Sequence, residues 1–367
     1  MKVCIISLNV VPYFHNSSGG QFGGAEVQAA VLAKAFSSAG ADVSLVVADL
    51  EEGRSLPFPS HNAFYVRDGL PVLRFLHPRT TGLLDALDRA GADLYFQHCA
   101  GWVTGMTAWF CKRRAKPFVY FAGSDTDFSY REVIIENLRD KLLYFWGVKN
   151  AAGIVVQNDN QASLCRARLD REPKVIPTAV ELDEAGETGK NGSIVWVGAL
   201  RAVKRPEMFL ELARRMPERH FVLMGGILST EPSFGKEILV EAERLPNVTA
   251  TGRIPTSAVA EYLAKAVLLV NTSRFEGFPN AFLEAWARYT PVLSFVDVDG
   301  LIAGERVGFV CDDLEDMAVR TVSIAGDENT RREMGQRARR LIEARFAAPV
   351  AARAHMDHFE SLTRGQR

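Results

Sequence analysis

The chain has 367 residues, 47% hydrophobic and 24% charged, which is the composition of an ordinary globular protein of about two domains. The formal net charge of −1 provides no overall attraction to nucleic acid or to an acidic membrane. The five cysteines (Cys4, Cys99, Cys111, Cys165 and Cys311) are scattered without a C-x-x-C pair, which argues against a disulfide framework or a zinc site and predicts free thiols in a reducing compartment.

The N-terminal segment MKVCIISLNVVP predicts a first strand. Its short apolar run is interrupted by Ser7 and Asn9, and it has no small-residue cleavage site of the kind that ends a signal peptide. No uninterrupted apolar run in the sequence approaches the roughly 20 residues that a membrane-spanning helix needs. We therefore expect a cytoplasmic protein, attached at most peripherally to the inner face of a membrane.

The first half of the chain alternates strands and helices. The predicted strands are VCIISL, DVSLVVADL, DLYFQH, PFVYFAG and GIVVQN. The predicted helices are GAEVQAAVLAKAFSSAG, which Gly40 closes, and YREVIIENLRDKLLYFWGVKN. Near-continuous apolar strands separated by helices indicate a parallel sheet that is covered on both faces.

A polar, Gly-rich stretch at residues 181–193 interrupts this alternation and is predicted to be a linker. The alternation then restarts with the strands SIVWVG, HFVLMGG, AVLLVNTS, PVLSFVDV and GFVCDD, and two charged helices close the chain. The predicted fold class is α/β, with two Rossmann-like doubly wound parallel-sheet domains at 1–180 and 194–347 facing each other across a crevice. Ligands of such sheets bind outside the carboxyl ends of the strands.

Two carboxylates flank a strand-to-helix turn in the second half. Glu276 follows the predicted strand AVLLVNTS, and Pro279 is well placed as the first residue of the next helix. Gly277 between them allows the backbone to approach a ligand closely. Glu276 is therefore predicted to lie at the carboxyl edge of the sheet, where it can accept hydrogen bonds from sugar hydroxyls.

The helix that follows this turn is predicted to form an anion site at its N-terminus. The N–H groups of Asn280, Ala281 and Phe282 would point towards the ligand, as they do at phosphate sites. Glu284 lies one turn after Asn280 on the same face, inside an otherwise apolar run. Because its carboxylate would repel phosphate, we expect it to bind neutral hydroxyls such as those of a ribose.

The segment EGFPNAFLE at 276–284 resembles the E-x7-E signature of the retaining GT-B glycosyltransferases of family 4, the glycosyl transferases group 1. The Gly-rich segment SSGGQFGGAEVQ is similar to the G-G-x-E loop of that family, with Gly23, Gly24 and Glu26 in the matching places. The Gly cluster begins about ten residues after the first strand, which argues against a dinucleotide-binding turn.

Two further segments extend the resemblance along the chain. VIPTAVEL at 175–182 is similar to the segment that ends the first domain of the family, although Thr178 and Ala179 stand where Asn-Gly is usual. The terminal helix at about 348–367 resembles the one that crosses back onto the first domain. The likeness therefore covers nearly the whole sequence.

The resemblance implies a nucleotide-sugar donor linked to UDP, GDP or ADP, a glycan or lipid-linked acceptor, and a role in polysaccharide biosynthesis, with no cofactor or metal. Glu276 would hold the donor sugar and Glu284 the ribose, while Arg253, in the segment GRIP, would lie near the base. The residues expected to bind the donor are Gly23, Gly24, Arg253, Gly277, Phe278, Pro279, Asn280, Ala281 and Glu284.

The cations needed at a leaving diphosphate are expected in the loop GALRAVKRPE at 198–207. Lys204 matches the lysine of the family, but Ala199 occupies the usual arginine position. We expect Arg201, two residues later, to reach the same phosphate, because a guanidinium on a flexible stem can span that offset. Arg201, Lys204 and Glu276 are therefore the predicted catalytic residues.

Two D-x-D pairs, at 125–127 and 297–299, also raise the possibility of the metal site of GT-A enzymes. We expect no metal, because short acidic pairs arise easily by chance and a single-domain GT-A layout contradicts the two-unit organisation. His98 and Asp125, at predicted strand ends, are instead candidates for the acceptor or sugar side. The histidine that the family often places before Gly123 is Ala122 here.

Two other functions remain open from the sequence. The substitutions at Ala122 and Ala199 fit a catalytically degenerate subunit that binds a nucleotide-sugar or carbohydrate without turnover, and a sugar phosphorylase of related fold is a third possibility. The basic aromatic segment WFCKRRAKPF at 109–118 fits either contact with a lipid-linked acceptor or a solvated helix end.

Overall fold

A computed structural model describes residues 1–15, 23–70, 73–182, 192–228 and 230–364. Most of the predicted linker and the start of the Gly-rich loop, at 19–22, lie outside the described residues. The chain forms two compact units, one made of Met1–Ala179 with Ala348–Arg367, the other of Val180–Ala347.

The first unit contains a seven-stranded parallel sheet in the order β3-β2-β1-β4-β5-β6-β7. Its strands are β1 (Lys2–Ile6), β2 (Asp42–Val47), β3 (Ser60–Asn62), β4 (Leu94–His98), β5 (Phe118–Phe121), β6 (Gly153–Val156) and β7 (Lys174–Val175). Alternate residues of a strand face opposite sides of the sheet. In β1, Cys4 and Ile6 enter one hydrophobic cluster and Val3 and Ile5 another, so both faces are buried as the continuous apolar runs predicted.

Seven helices cover this sheet among the described residues. They are α1 (Val11–Phe14), α2 (Gly24–Ser38), α3 (Thr81–Ala90), α4 (Trp102–Arg114), α5 (Leu138–Asn150), α6 (Asp159–Leu169) and α14 (Ala348–Arg364). α14 packs against α2, where Phe359 makes an edge-on contact with Phe36 at 5.4 Å between ring centroids. The C-terminal segment of the chain is thus part of the core of the first unit.

The second unit contains a six-stranded parallel sheet in the order β10-β9-β8-β11-β12-β13. Its strands are β8 (Ile194–Val197), β9 (Phe221–Met224), β10 (Val248–Gly252), β11 (Leu268–Asn271), β12 (Val292–Ser294) and β13 (Gly308–Val310). Its described helices are α7 (Pro206–Arg215), α8 (Pro232–Glu243), α9 (Thr256–Lys265), α10 (Asn280–Trp286), α11 (Leu301–Glu305), α12 (Leu314–Gly326) and α13 (Glu328–Leu341).

The structure differs from the sequence-based expectation at α5. Helix was predicted from Tyr130, but α5 begins only at Leu138, where the side chain of Asn137 accepts a hydrogen bond from the Arg139 N–H at 3.0 Å. An N-cap side chain of this kind starts a helix at a defined residue. The preceding residues carry an apolar pattern without forming a helix.

Candidate active site

The strand order of the second unit places a topological switch point between β8 and β11. The chain proceeds from β8 outwards to β9 and β10, then returns to β11 on the other side of β8. The loops that follow β8 and β11 therefore lie side by side at the carboxyl edge of the sheet, where open α/β sheets bind ligands. These two loops contain Lys204 and Glu276.

Lys204 and Glu276 form a close ion pair at this edge. The Lys204 Nζ lies 2.5 Å from Glu276 Oε1 and 2.6 Å from Oε2. The side chain of Glu276 is 7% exposed and that of Lys204 is 25% exposed. Glu276 Oε1 also accepts hydrogen bonds from Ser273 Oγ at 2.5 Å and Asn271 Nδ2 at 3.1 Å. A buried carboxylate needs such partners to stay charged, so this site holds an oriented anion beside a partly accessible cation.

Polar residues at the end of β11 orient the Glu276 carboxylate. Asn271 Oδ1 accepts from the Ser273 N–H at 3.0 Å and from Ser294 Oγ at 3.4 Å. Because its oxygen is occupied in this way, the amide of Asn271 presents its Nδ2 to Glu276. The three residues Asn271, Ser273 and Ser294 are buried, so their side chains are fixed before any ligand binds.

Thr272 fixes the backbone on which Lys204 stands. Its hydroxyl accepts from Trp196 Nε1 at 3.1 Å and lies 2.8 Å from the carbonyl oxygens of both Lys204 and Arg205. The Arg205 Nε in turn donates to the Thr272 carbonyl at 2.7 Å, and the guanidinium lies over the ring of Phe295. Burial, and then the charge of Arg274, lower the pKa of Arg205. Arg205 is therefore a structural residue of the loop.

Arg201 makes an ion pair of its own, away from Glu276. Its Nε lies 3.3 Å from Glu231 Oε1, and Glu231 Oε2 accepts from the Ala202 N–H at 2.8 Å. Both side chains are about a third exposed. Of the two cations predicted to act on one phosphate, the structure brings only Lys204 to Glu276, while Arg201 is paired with Glu231.

The turn after Glu276 differs in detail from the expectation. Pro279 was predicted to be the first residue of the helix, but α10 begins one residue later, at Asn280, and Pro279 is the residue just before it. The Pro279 carbonyl accepts the Phe282 N–H at 3.0 Å. The Phe282 amide is therefore occupied, whereas it was expected to face an anion. Phe278 is 9% exposed and packs on Phe346 at 5.3 Å between ring centroids, so its ring forms part of the core. Asn280 and Ala281 begin the helix at the end of this turn.

Glu284 lies in α10 among buried apolar neighbours such as Leu283 and Ala285. Burial raises the pKa of its carboxyl from 4.5 to about 7, and the nearby positive charge of Arg288 offsets only part of that effect. Arg288 Nη1 donates to the main-chain carbonyl of Glu284 at 3.0 Å. Glu284 is thus a half-buried carboxyl that is poised between its two protonation states at neutral pH.

Glycines allow the ends of β8, β9 and β10 to approach closely. A Cβ on Gly225 would lie 2.1 Å from the Gly198 carbonyl oxygen. A Cβ on Gly226 would lie 2.9 Å from Arg253 Nε, so the guanidinium of Arg253 lies directly over this glycine. The predicted base-binding residue Arg253 is therefore placed on the carboxyl edge of the same sheet as Glu276.

In the first unit, the Gly-rich loop ends in a capped helix start. Gly23 precedes α2, and its N–H donates to Glu26 Oε2 at 2.7 Å. A carboxylate in the first turn of a helix satisfies in this way a backbone N–H that has no partner within the helix. Gly24 is the first residue of α2.

His98 ends β4 and stacks on Phe121, with 4.5 Å between the ring centroids. Burial lowers its pKa from 6.5 to about 4, so the imidazole is neutral at pH 7. Its Nε2 lies 3.5 Å from Gln157 Nε2. A neutral imidazole stacked on an aromatic ring can donate a hydrogen bond to a hydroxyl or accept one from it, but it supplies no positive charge.

The carboxylates of the D-x-D pairs have local partners. Asp127 is buried, and its Oδ2 accepts from Gly123 N at 2.7 Å and Tyr120 Oη at 2.8 Å. Burial raises its pKa to about 6. Asp125 Oδ2 accepts from Asn160 Nδ2 at 2.7 Å. Asp297 accepts two main-chain N–H bonds, from Ile302 at 2.8 Å and Ala303 at 3.2 Å. Throughout the described ranges, no group of three or more His, Cys, Asp or Glu could hold a metal ion.

The residues that sequence reasoning missed are those that position the ion pair, namely Asn271, Thr272 and Ser273. The segment NTS was interpreted only as the end of a strand. The signal available in the sequence was the run of three polar residues at the end of an otherwise apolar segment. In the structure all three residues are buried, and buried polar groups require hydrogen-bond partners. Separately, none of the described helices is long and apolar enough to cross a membrane.

Comparison with known proteins identifies related sequences and folds. The model for Glycosyltransferase Family 4 matches residues 22–184, and that for Glycosyl transferases group 1 matches residues 191–327. A curated relative, glycosyltransferase 1 domain-containing protein 1 of Xenopus tropicalis, is 27% identical over 186 residues. That alignment covers 48% of this chain and 53% of the relative, so the chain matches only about half the length of that protein.

Solved structures share the fold at low sequence identity. The sucrose-phosphate synthase of Thermosynechococcus elongatus aligns over 100% of both chains with a TM-score of 0.76 and 19% identity. Anabaena HepE, solved with UDP and glucose, aligns over 98% of this chain and 100% of its own, with a TM-score of 0.75 and 15% identity. With the two family models covering most of its length, the chain belongs to the family 4 glycosyltransferases, the glycosyl transferases group 1, and has the GT-B fold.

Proposed function

We propose that this protein transfers a sugar from a nucleotide-sugar to a glycan or lipid-linked acceptor with retention of anomeric configuration, and that it needs no metal ion or cofactor. The observation that carries the proposal is the Lys204–Glu276 pair at the switch point between β8 and β11. It combines an accessible cation suited to a phosphate with an oriented carboxylate suited to sugar hydroxyls.

Glu276 and Lys204 have different roles in the proposed reaction. Glu276, whose oxygens are already held by Ser273 and Asn271, accepts hydrogen bonds from the donor sugar. Lys204 stabilises the diphosphate as the bond between the anomeric carbon and the phosphate oxygen breaks. The acceptor oxygen attacks the same face of the sugar, and its proton passes to the departing phosphate oxygen. No protein nucleophile is required by this route.

Donor binding by the second unit has further support. Glu284 lies in α10 one turn after Asn280 and would accept hydrogen bonds from a ribose. Arg253 lies over Gly226 at the neighbouring strand ends and would stack on a base. HepE, a protein of the same fold, has been solved with UDP and glucose. We therefore take a nucleoside diphosphate sugar as the donor and leave the base to experiment.

The proposal of metal independence rests on the hydrogen bonds that the carboxylates of the two D-x-D pairs accept within the protein. Asp127 and Asp297 accept backbone hydrogen bonds that shape their own turns, and Asp125 accepts from Asn160. A carboxylate bound in this way would have to give up those partners to bind a cation. Lys204, although paired with Glu276, keeps a partly exposed ammonium group that supplies positive charge at the sheet edge.

A degenerate, nucleotide-binding subunit is the second candidate. It is favoured by one observation, namely that Arg201 pairs with Glu231 and so leaves Lys204 as the cation at Glu276. Ala122 and Ala199, which occupy positions where the family usually has charged or polar residues, point the same way. This candidate predicts nucleotide binding without sugar transfer.

A calorimetric titration with UDP, GDP and ADP, repeated with excess chelator, tests the proposal. We expect one nucleotide to bind with unchanged affinity in chelator. Binding only with metal, or binding of none, would refute the proposed site. Release of that nucleotide from its sugar conjugate in the presence of acceptor sugars then separates the enzyme from the degenerate subunit.

Two matched variants test which of the two cations, Lys204 or Arg201, binds the phosphates of the nucleotide. Lys204→Met should weaken nucleotide binding about tenfold to a hundredfold, because a charged hydrogen bond contributes about 1.5–3 kcal/mol. Arg201→Met should weaken it comparably only if Arg201 leaves Glu231 for the phosphate. Thermal unfolding of both variants checks that Glu276, left without Lys204, does not simply unfold the second unit.

The location and product of the reaction complete the proposal. We place the protein in the cytoplasm, with its first unit binding the acceptor, and assign it to the synthesis of a surface or exopolysaccharide glycan. Support for the product comes from the family resemblance of the sequence. Fractionation of cells and analysis of the glycan in a deletion strain would test it.

A further inference from the structure

The predicted cations of the donor site are both paired with carboxylates. Lys204 is paired with Glu276, and Arg201 is paired with Glu231. The diphosphate of a nucleotide-sugar would bring two negatively charged groups to the same edge of the sheet. A further cation that no carboxylate neutralises would therefore stabilise the bound diphosphate, and it would do so most strongly as negative charge develops on the leaving group.

Arg274 starts from the backbone beside Lys204, because hydrogen bonds join the two loops of the site. The Arg274 N–H donates to the Val203 carbonyl at 2.9 Å. The hydroxyl of Thr272, two residues earlier, donates to the Lys204 carbonyl at 2.8 Å. Arg274 also precedes Glu276 by only two residues. The side chains of these three charged residues therefore begin at neighbouring points of the carboxyl edge.

The side chain of Arg274 is exposed at the point where the chain leaves the sheet. The preceding residues Asn271, Thr272 and Ser273 are buried. Arg274 itself is exposed, and the next residue, Phe275, is 71% exposed. Because its guanidinium is carried on a long stem, Arg274 can reach a ligand at this edge without disturbing the buried residues before it.

No acidic side chain neutralises Arg274. In the part of the chain that the structure describes, no carboxylate lies within ion-pair distance of its guanidinium. Burial, and then the charge of Arg274, lower the pKa of Arg205, so the two guanidinium groups are close enough to repel each other. The charge of Glu207 offsets part of this repulsion at Arg205. A cation that is held beside another cation in this way is stabilised by an anionic ligand.

We propose that Arg274 is the second cation of the donor site and binds the phosphate group that carries the sugar, an assignment that rests on the proposed function. Its guanidinium donates two parallel hydrogen bonds to this phosphate, which is the geometry that arginine favours with phosphate oxygens. Lys204 contacts the same group from the neighbouring loop as a single point of charge. Both cations then stabilise the negative charge that develops on the departing oxygen.

The choice of this phosphate follows from the position of Glu276. Glu276 is proposed to hold the donor sugar, and the phosphate nearest to that sugar is the one bonded to its anomeric carbon. Arg274 and Lys204 start from the backbone beside Glu276. A nucleoside monophosphate lacks the phosphate that carries the sugar, so it should bind without help from Arg274.

Titration calorimetry of the full chain with UDP, GDP and ADP first identifies the nucleotide that wild type binds. Arg274→Met should bind this nucleoside diphosphate about tenfold to a hundredfold more weakly, because hydrogen bonds between charged groups are lost. Its affinity for the corresponding monophosphate, UMP, GMP or AMP, should equal that of wild type. Diphosphate binding by the variant should also depend less on salt, since one cation fewer contacts the ligand.

Two further variants separate a binding role from a structural one. Arg274→Lys should recover part of the lost affinity, because an ammonium group keeps the charge but not the paired hydrogen bonds. Arg244→Met is the matched control and should bind the diphosphate as wild type does. Arg244 is an exposed arginine at the end of α8, before β10 begins, so it lies at the opposite edge of the sheet. Arg274→Met should melt no lower than wild type, since its repulsion of Arg205 is removed.

Each remaining outcome identifies what has failed. If wild type binds none of the three nucleotides, the proposed donor site is refuted and the assignment of Arg274 with it. If wild type binds one of them and Arg274→Met binds it equally well, only the assignment of Arg274 is refuted. Equal losses for the monophosphate and the diphosphate, or a lower melting temperature that accounts for the loss, would also overturn it. A loss in Arg201→Met without one in Arg274→Met would make Arg201 the second cation.

Discussion

Replacing Glu284 with glutamine should stabilise the protein at alkaline pH while weakening nucleotide binding. Burial raises the pKa of Glu284 to about 7, so the folded protein retains a proton that the unfolded chain releases near 4.5. Because the folded state binds more protons over this interval, stability falls as pH rises through it. Glutamine has nearly the shape of the protonated acid and does not ionise, so Glu284→Gln avoids this loss.

The size of the effect follows from the interval between the two pKa values. From 4.5 to about 7, at roughly 1.4 kcal/mol for each pH unit, the carboxyl costs about 3 kcal/mol at pH 8. At pH 5 the cost is below about 1 kcal/mol, because only part of the unfolded chain is ionised there. The variant should therefore gain most of its advantage between pH 5 and pH 8.

Thermal unfolding of wild type and variant at pH 5, 6.5 and 8 measures this difference. Glu237→Gln, at an exposed position of α8, is the matched control and should show no pH-dependent gain. The difference in melting temperature should increase from near zero to several degrees. A variant that is less stable than wild type at pH 8 would show that the charged carboxylate has a stabilising partner and would refute the reasoning.

The nucleotide titration supplies the functional half of the same prediction. Wild-type affinity should increase as pH rises through about 7, because the ionised carboxylate is the better acceptor for ribose hydroxyls. Glu284→Gln should bind about tenfold more weakly at pH 8 and lose this pH dependence. Unchanged affinity would make Glu284 a residue of the helix surface only.

Two further substitutions test the positioning of the site and the packing of the first unit. Thr272→Val removes the hydroxyl between Trp196 and the Lys204 carbonyl, so it should cost about 1–3 kcal/mol and also lower nucleotide affinity. Thr321→Val, equally buried but bonded within α12, should affect melting alone, and equal binding by the two variants would contradict a positioning role. Gly105→Ala should lower the unfolding free energy by about 2 kcal/mol or more, because its Cβ meets the Leu143 carbonyl. A melting temperature as high as that of Gly304→Ala, whose Cβ meets open space, would argue against this close packing.

The elements of this fold could be predicted because its strands are buried on both faces. Segments such as SIVWVG contain too few polar residues to face water. The turn at Glu276 was predictable for the same reason, because the end of a strand and a proline-initiated helix fix its place at the sheet edge. The local pattern of apolar residues was sufficient to predict the strands that are buried on both faces.

Long-range partners could not be predicted in this way. Arg201 and Glu231 are thirty residues apart, and nothing in the loop sequence indicates that they pair. The raised pKa of Glu284 comes from its burial in the folded protein, so it was not visible in the spacing of Glu284 from Glu276. The helix α5 was predicted to begin eight residues too early, because the apolar residue Ile134 fits the helical pattern of a buried position. In the structure Ile134 is exposed.

The contribution of α14 to the first unit determines when that unit can finish folding. During synthesis, the surface around Phe36 and Phe96 can be covered by Phe359 only after the whole second unit has been made. At about 5–20 residues per second, this takes of the order of ten to thirty seconds. Over that time the nascent first unit exposes an aromatic surface, which makes it a substrate for chaperones that bind unfolded chains, whereas the second unit is continuous and can fold as soon as it is complete.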